Sequence, residues 1–320
     1  MKKKVPNKNI MKAVICKKYG GPEVLELKEV TQPRPDDNEV CVKIHATAVT
    51  NSDIFIRGSK LPFPIIIPFR LMIGIFKPRK SIIGLVFSGE IESIGKNINK
   101  FKPGDLVYGL SGFNLGTYAE YMCIKENDSK KGSISLKPEH ITHEEATMAA
   151  YGGILAFQYL EKGSIRKGQK VLIYGASGTS GIIAVQIAKH LGAEVTGVCS
   201  TSNLEMVKNL GADYVIDYTQ QDSIPEGVYY DFILDSVGKN KTSKLKKACK
   251  HVLSPKGKYV SIDDGPLVLD SKRLNKIKEY VEAGYIKPVL DRCYKLEEIV
   301  EAHKYVEKGH KKGGVAITVI

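Results

Sequence analysis

The sequence predicts an α/β protein, a β-rich unit followed by an open, doubly wound parallel sheet, and three stretches carry that prediction. The first is 170–218. There the β-branched run Val171-Leu172-Ile173-Tyr174 leads into Gly175-Ala176-Ser177-Gly178-Thr179-Ser180-Gly181, a helix-period run from Ile182, and a second strand at 193–199. The second is 11–124, where alternating apolar runs are broken repeatedly by glycine and proline. The third is a series of short strands at 213–218, 231–238 and 258–265, whose ends carry glycine and small polar residues.

Taken in order, residues 1–10 read as a loose basic lead. Strands are expected in MKAVICKKYG, VLELKEV and EVCVKIHATAV, separated by Gly20-Gly21-Pro22 and by Pro33 and Pro35. Residues 50–58 start like a short capped helix, with Asp53 and Arg57 spaced to pair on one face. The window 61–76, LPFPIIIPFRLMIGIF, is the most apolar and too short to span a bilayer. It reads as a loop over an apolar pocket or as a segment packed into the core. Residues 82–110 alternate and turn at Gly84, Gly89, Gly95 and Gly104, and 118–124 closes the β-rich part. A helix over 140–160 should lead from one unit into the other. Beyond 265, a helix (271–283), a strand (287–293), a helix (296–308) and a final strand (315–320) are expected.

The glycines at 175, 178 and 181 suit a phosphate-binding turn. The first allows a sharp turn, the second close approach of a bulky anion, the third tight helix–strand packing. Unpaired N–H groups and the dipole at the helix start then favour a pyrophosphate. Placement between two strands makes the GxxGxxG spacing informative where the pattern alone would be weak. After the second strand comes Cys199-Ser200-Thr201-Ser202-Asn203, with nothing acidic between Glu194 and Glu205. A neutral, hydroxyl-rich pocket does not repel a 2′-phosphate, so NADPH is expected over NADH. Ser202 or Asn203 would also serve to cap the helix that follows.

At 320 residues the chain is long enough for two domains, and 42% hydrophobic with 26% charged residues is ordinary for a water-soluble protein. The net charge of +13 is scattered over lysine runs such as 244–250 and 308–312, which read as solvated surface; no nucleic acid partner is expected. Six cysteines without a CxxC or close clustering point to a reducing compartment rather than zinc or disulfides. No apolar leader is apparent, so a cytoplasmic protein is expected.

With these residues in view, the chain resembles the zinc-independent medium-chain dehydrogenases/reductases, close to the quinone oxidoreductase and alkenal (enone) reductase branch. The resemblance rests on Tyr19-Gly20-Gly21-Pro22-Glu23-Val24-Leu25, Asn51-x-x-Asp53, Gly84-x-x-x-Ser88-Gly89, Phe101-Lys102-Pro103-Gly104-Asp105, the 175–181 turn, Leu210-Gly211-Ala212-Asp213 and Leu296-Glu297-Glu298-Ile299-x-Glu301-Ala302-His303. It implies a GroES-like β-rich domain over 11–135, a Rossmann domain with a doubly wound parallel sheet over 136–265, and a tail, 266–320, returning to the first. It also implies NADPH in the cleft and often a homodimer. Ser200 and Tyr218, with Thr201 and Asn203 between, match positions near the 2′-phosphate; Ser236, Val237 and Gly238 lie where the cofactor passes.

In zinc-dependent relatives a cysteine stands near 51 and a Gly-His-Glu near 84–86; here the residues are Asn51 and Gly84-Leu85-Val86, so no metal is expected. Val86, Ala149 and Leu155 also depart from residues common in this branch, which implies reduced activity or an altered substrate pocket. Without a metal, a quinone or an α,β-unsaturated carbonyl is the easier small-molecule substrate, because its delocalised product anion needs hydrogen-bond donors alone. Asn51 is the first candidate for that contact and Tyr19 the second. Asp53 is expected to brace its segment through Arg57, while His45, His140, His143 and His303 read as surface or capping residues. A non-catalytic NADPH-binding redox sensor or RNA-binding protein on the same fold is the alternative.

Overall fold

Why one strand can hold a whole domain together is visible in β3 (Glu39–Val49), eleven residues long in the computed structural model, which describes residues 9–58, 66–239, 242–309 and 311–320. Its first half pairs with β6 (Tyr121–Lys125) and its second half with β14 (Gly314–Thr318), while β4 (Val86–Ile94) runs along the other edge. The register against β4 shifts between Cys41 and Val42 and again between Ile44 and Ala46. Such bulges bend a strand and increase its twist, so the sheet curls around Val40, Val42, Ile44, Phe87, Val107 and Ile124. With β5 (Leu106–Leu110), β7 (Ser133–Leu136) and β13 (Leu290–Lys295), the order is β13-β14-β3-β4-β5-β7, β6 lying beside β3. The last two strands in the chain thus return to the first sheet. A two-stranded ribbon, β1 (Ile10–Cys16) with β2 (Leu25–Thr31), lies beside it.

The second sheet is parallel throughout, in the order β10-β9-β8-β11-β12: β8 (Lys170–Tyr174), β9 (Glu194–Cys199), β10 (Tyr214–Asp217), β11 (Tyr230–Asp235) and β12 (Leu253–Ser261). The winding direction reverses between β8 and β11, and in such sheets the crevice outside the carboxyl ends at the reversal is where ligands sit. The apolar run 171–174 is buried on both faces by α4 (Thr179–His190) on one side and α6 (Lys244–Cys249) on the other. α5 (Leu204–Asn209) connects β9 to β10. β12 forms one edge and carries exposed Pro255, Lys256 and Lys258, residues that discourage pairing with another chain.

Between the two sheets lies α3 (His143–Glu161). Thr142 accepts from the Glu145 N–H and the Glu145 carboxylate accepts from the Thr142 N–H, a reciprocal cap that starts the helix at His143, three residues after the expected boundary. Its small residues Ala146, Ala149 and Ala150 let both sheets approach. α7 (Ser271–Glu282) packs on its outer side through Leu274, Ile277 and Val281. α8 (Ile299–Glu307) closes over β14 and α1 (Asn51–Gly58).

Several expectations change. Within the apolar window that reads as a loop over a pocket or as a core segment, residues 66–73 form a helix, α2 (Ile66–Ile73); Pro68 stands in its first turn, where the missing N–H costs nothing. Residues 61–65 of that apolar window, and 1–8 of the basic lead, lie outside the described residues. Asp53 and Arg57 do not pair. Asp53 turns back to accept from the Thr50 N–H and hydroxyl at 2.8 and 2.6 Å, while Arg57 reaches α8, bonding His303 at 3.3 Å and Glu307. His303 is accordingly fully buried rather than a surface group. His143 is half-buried, stacked on His45 at 4.6 Å with Ser88 Oγ 2.8 Å from its Nδ1, and burial lowers its pKa to about 4. Cys41 and Cys123, distant in sequence, stand opposite each other on β3 and β6, though all six cysteines are free.

Candidate cofactor cleft and active site

The 175–181 turn follows β8 and opens α4. Gly175 has φ +82°, and the N–H groups of Gly175 and Ala176 both donate to the Val198 carbonyl, at 3.0 and 2.9 Å. A Cβ on Gly181 would come within 2.1 Å of the Gly175 carbonyl oxygen, so that position admits no side chain. Gly178 differs. It is the N-cap of α4 with no side-chain hydrogen bond, and a Cβ there would meet the Gly175 oxygen alone, at 3.5 Å. The protein leaves this space open in front of the first-turn N–H groups, which fits a pyrophosphate.

Two further segments close on this turn. From β11, Ser236 Oγ lies 2.6 Å from Ser180 Oγ, and Val237 packs against Gly175. Beneath them Asp235 accepts from the N–H groups of Val237 and Gly238, from the Tyr259 hydroxyl at 3.1 Å and from Lys246 at 2.7 Å. Lys246 also donates to the Gly238 carbonyl at 2.6 Å. It was read from the sequence as part of a solvated lysine run, yet it is 5% exposed. Its neighbours Lys244 and Lys250 do face solvent; a helical turn has two sides, and the run concealed the inward one. From the loop before β14, the Gly313 N–H donates to the Ser177 carbonyl at 2.9 Å, and Lys311 Nζ donates to Thr179 Oγ1 at 2.7 Å.

At the carboxyl end of β9, the buried Asn203 side chain donates to Ser200 Oγ at 3.0 Å, while its Oδ1 has no partner. It makes no capping bond to α5, so the capping role considered for it is not the one observed. Thr201 Oγ1 donates to Asp217, whose other oxygen accepts from the Thr219 N–H and hydroxyl. These bonds hold the Asp217 carboxyl below its ordinary pKa, the Thr201 hydroxyl contributing most. Asp217 escaped the sequence reading because it arrives from β10, the next strand over. Tyr218 beside it is exposed.

Across α3 from the glycine turn lies a cluster of hydroxyls and an amide. Asn51 is the first residue of α1 and is exposed; Ser52 Oγ is 3.1 Å from the Tyr151 hydroxyl on α3. Gly152, next to Tyr151, approaches so closely that a Cβ there would lie 2.5 Å from the Thr179 carbonyl. One turn of α3 therefore touches both the Asn51–Ser52 segment and the start of α4. Burial raises the Tyr151 pKa, which keeps the phenol protonated. Tyr151 was missed because it stands mid-helix in a small-residue run that reads as packing. Tyr19 is placed otherwise: its hydroxyl donates to the Gly74 carbonyl at 2.6 Å, with the Arg70 guanidinium over its ring.

Beneath Asn51 the fold buries Asp53, Tyr118, His303 and Arg57 together. Tyr118 hydroxyl is 3.1 Å from His303 Nε2; Asp53 Oδ1 and Arg57 Nε lack partners. Burial drives the Asp53 pKa up to about 7, against the hydrogen bonds from Thr50 that lower it, and drives His303 down to about 3 with help from the Arg57 charge. Nothing here fits a catalytic zinc: Asn51 offers an amide, Leu85 and Val86 are apolar, and among the described residues no three His, Cys, Asp or Glu side chains are grouped to hold a metal.

Comparison with known proteins agrees with this architecture. Residues 36–132 match the model of the alcohol dehydrogenase GroES-like domain, and 181–279 and 265–317 match two models described as zinc-binding dehydrogenase. The chain is 30% identical to 2-methylene-furan-3-one reductase of Solanum lycopersicum, over 96% of this chain and 79% of that one. It is 28% identical to the NADPH-dependent alkenal/one oxidoreductase, chloroplastic, of Arabidopsis thaliana, with the same coverage of 96% and 79%. The solved quinone oxidoreductase of Coxiella burnetii superposes with a TM-score of 0.84 at 25% identity, over 98% of this chain and 100% of that one. With a β-rich domain, a parallel doubly wound sheet and a relative at this identity along nearly its whole length, the chain belongs to the medium-chain dehydrogenase/reductase family, in its quinone oxidoreductase branch.

Proposed function

We propose that the protein is a zinc-independent oxidoreductase that reduces quinones or α,β-unsaturated carbonyls with NADPH. The observation that carries this reading is the open N-cap at Gly178, which α3 links to the Asn51, Ser52 and Tyr151 cluster through neighbouring Gly152 and Tyr151. Gly175 to Gly181 would hold the pyrophosphate, and Ser200, Thr201, Asn203 and Tyr218 the adenosine ribose and its 2′-phosphate. Ser236, Val237 and Gly238 would line the path to the reacting end. When bound, the reduced nicotinamide supplies a hydride. The Asn51 amide then donates to the substrate's carbonyl oxygen as charge gathers there, and Tyr151, oriented by Ser52, holds the proton that charge requires. The same chemistry is named in the enone and quinone relatives, which favours turnover over a non-catalytic sensor or RNA-binding role.

The test is nicotinamide absorbance followed with a panel of quinones and enals under NADPH and under NADH. At least a tenfold advantage in kcat/KM for NADPH is expected, about 1.4 kcal/mol. No oxidation with either nucleotide, or a preference for NADH, overturns the reading. Tyr151→Phe should lower kcat by roughly 10- to 100-fold with little change in KM for NADPH, as loss of a proton-donating group does. Asn51→Ala should lower kcat/KM for substrate, again with the nucleotide KM unmoved. Unchanged kcat in Tyr151→Phe and unchanged kcat/KM in Asn51→Ala would remove these residues from the chemistry.

A homodimer in the cytoplasm belongs to the same proposal. Six free thiols suit a reducing compartment, and among the described residues no helix is long and apolar enough to cross a membrane. Sedimentation velocity, which should read the mass of two chains, tests the dimer.

A further inference from the structure

Among the described residues, α2 and the turn after it expose a dense run of large apolar side chains. Ile73 faces the core, and Arg70 turns inward over Tyr19, its Nη1 donating to the Ile75 carbonyl at 3.3 Å. The opposite side presents Ile67, Leu71 and Met72, and the turn adds Ile75 and Phe76, the last 89% exposed. Five large apolar side chains are thus exposed within ten residues, a concentration of a kind that marks an interaction site.

Basic side chains predominate along the chain around it. Exposed Lys77, Arg79 and Lys80 follow the patch directly, and Arg79 Nη2 donates to the Leu71 carbonyl at 2.7 Å, tying the basic run to the helix. The strand end carrying exposed Lys17 and Lys18 joins the same turn, through the Cys16 N–H donating to the Ser81 carbonyl at 2.7 Å. No aspartate or glutamate occurs between Asp53 and Glu90. The acid closest along β2, Glu26, is occupied by Lys28 at 2.5 Å. An apolar wedge flanked by lysine and arginine matches the two layers of an anionic membrane surface: acyl chains for the wedge, lipid phosphates for the cations.

We propose that this face docks the protein on an anionic lipid bilayer as a peripheral protein, with Leu71 and Phe76 entering the acyl boundary and Lys77, Arg79 and Lys80 meeting the headgroups. This goes beyond the proposed reduction and does not depend on it. Every side chain named as a membrane contact is exposed, so its replacement leaves the core untouched.

The test is cosedimentation of the full chain with phosphatidylcholine vesicles, with and without one-third phosphatidylglycerol. Thermal melting of each variant serves as the folding control. Wild type should partition at least tenfold better onto the phosphatidylglycerol vesicles, and half-molar salt should remove most of that advantage. Leu71→Ser/Phe76→Ser, which changes no charge, should lower partitioning at least tenfold at an unchanged melting temperature. Lys77→Gln/Arg79→Gln/Lys80→Gln should abolish the preference for phosphatidylglycerol. Failure of wild type to sediment with the anionic vesicles overturns the proposal, as does equal partitioning of the serine variant and wild type. So does a fall in molar mass for the serine variant in sedimentation velocity, which would show a second copy covering the patch.

Discussion

Replacing Gly178 with alanine should weaken NADPH binding about 100-fold while the protein keeps nearly its full stability. The asymmetry follows from where the new methyl goes. At φ −81° and ψ 166° the backbone accepts any residue, and the added Cβ touches a single protein atom at an ordinary 3.5 Å. Losing glycine at an N-cap costs a few tenths of a kcal/mol up to about 1. The volume the methyl fills, however, is the volume in front of the α4 N–H groups, where close approach of a phosphate requires bare backbone. A 100-fold loss corresponds to about 2.7 kcal/mol. Gly181→Ala supplies the contrast. Its Cβ would sit 2.1 Å from the Gly175 oxygen, so the helix must move off the strand, and overpacking of this kind costs about 1–3 kcal/mol of stability. Calorimetry with NADPH and thermal melting separate the two: Gly178→Ala should change the first and spare the second, Gly181→Ala should change both. If Gly178→Ala binds NADPH as wild type does, the pyrophosphate does not lie on this turn.

The strand–turn–helix unit that holds those two glycines was legible in the sequence because its reasons are local. A strand, a turn with fixed spacing and a helix follow one another, and the fold could be read from that unit and from the breaks in 11–124. What stayed hidden depends on which face of an element turns inward, or on strands that meet after long separation. Lys246 sits in a lysine run and looks solvated until α6 shows its inner side to Asp235. Asp217 lies beyond any window around Ser200, yet parallel pairing of β10 with β9 sets it against Thr201. Tyr151 needed the contact between α3 and α1, a relation absent from periodicity. Asp53 and Arg57 had the right spacing for a helical pair, but spacing supplies proximity without excluding a better partner. Thr50 offered Asp53 a capping bond, and α8 offered Arg57 a carboxylate.

Asp53→Asn should become more stabilising relative to wild type as pH rises from about 4 to 7, by roughly 1.4 kcal/mol per pH unit and about 4 kcal/mol across the window. Asp53 is fully buried, with Thr50 just before its own helix, Tyr118 and His303 from the neighbouring elements, Tyr151 from α3, and Arg57 one turn on. Arg57 does not rescue the carboxylate because its guanidinium is committed to Glu307 and His303. The folded pKa of about 7 therefore stands above the ordinary 3.8. Below 3.8 both states hold the proton and the contribution is complete. Between 3.8 and 7 the unfolded chain has released its proton and the folded one has not, so stability falls as pH rises. His303 runs the other way: with a folded pKa of about 3 against 6.5, its contribution is present above 6.5 and is lost as pH falls. In wild type the two slopes oppose each other between 3.8 and 6.5, which hides both. The asparagine variant removes the acid's share, keeps an oxygen to accept from Thr50, and leaves His303 in place. Urea unfolding of both proteins at pH 5 and 7.5 measures the difference. A gap that does not widen with pH would mean Asp53 ionises normally in the fold, and a buried carboxylate on the same helix as Asn51 would then put a negative charge near the amide proposed to face a developing oxyanion.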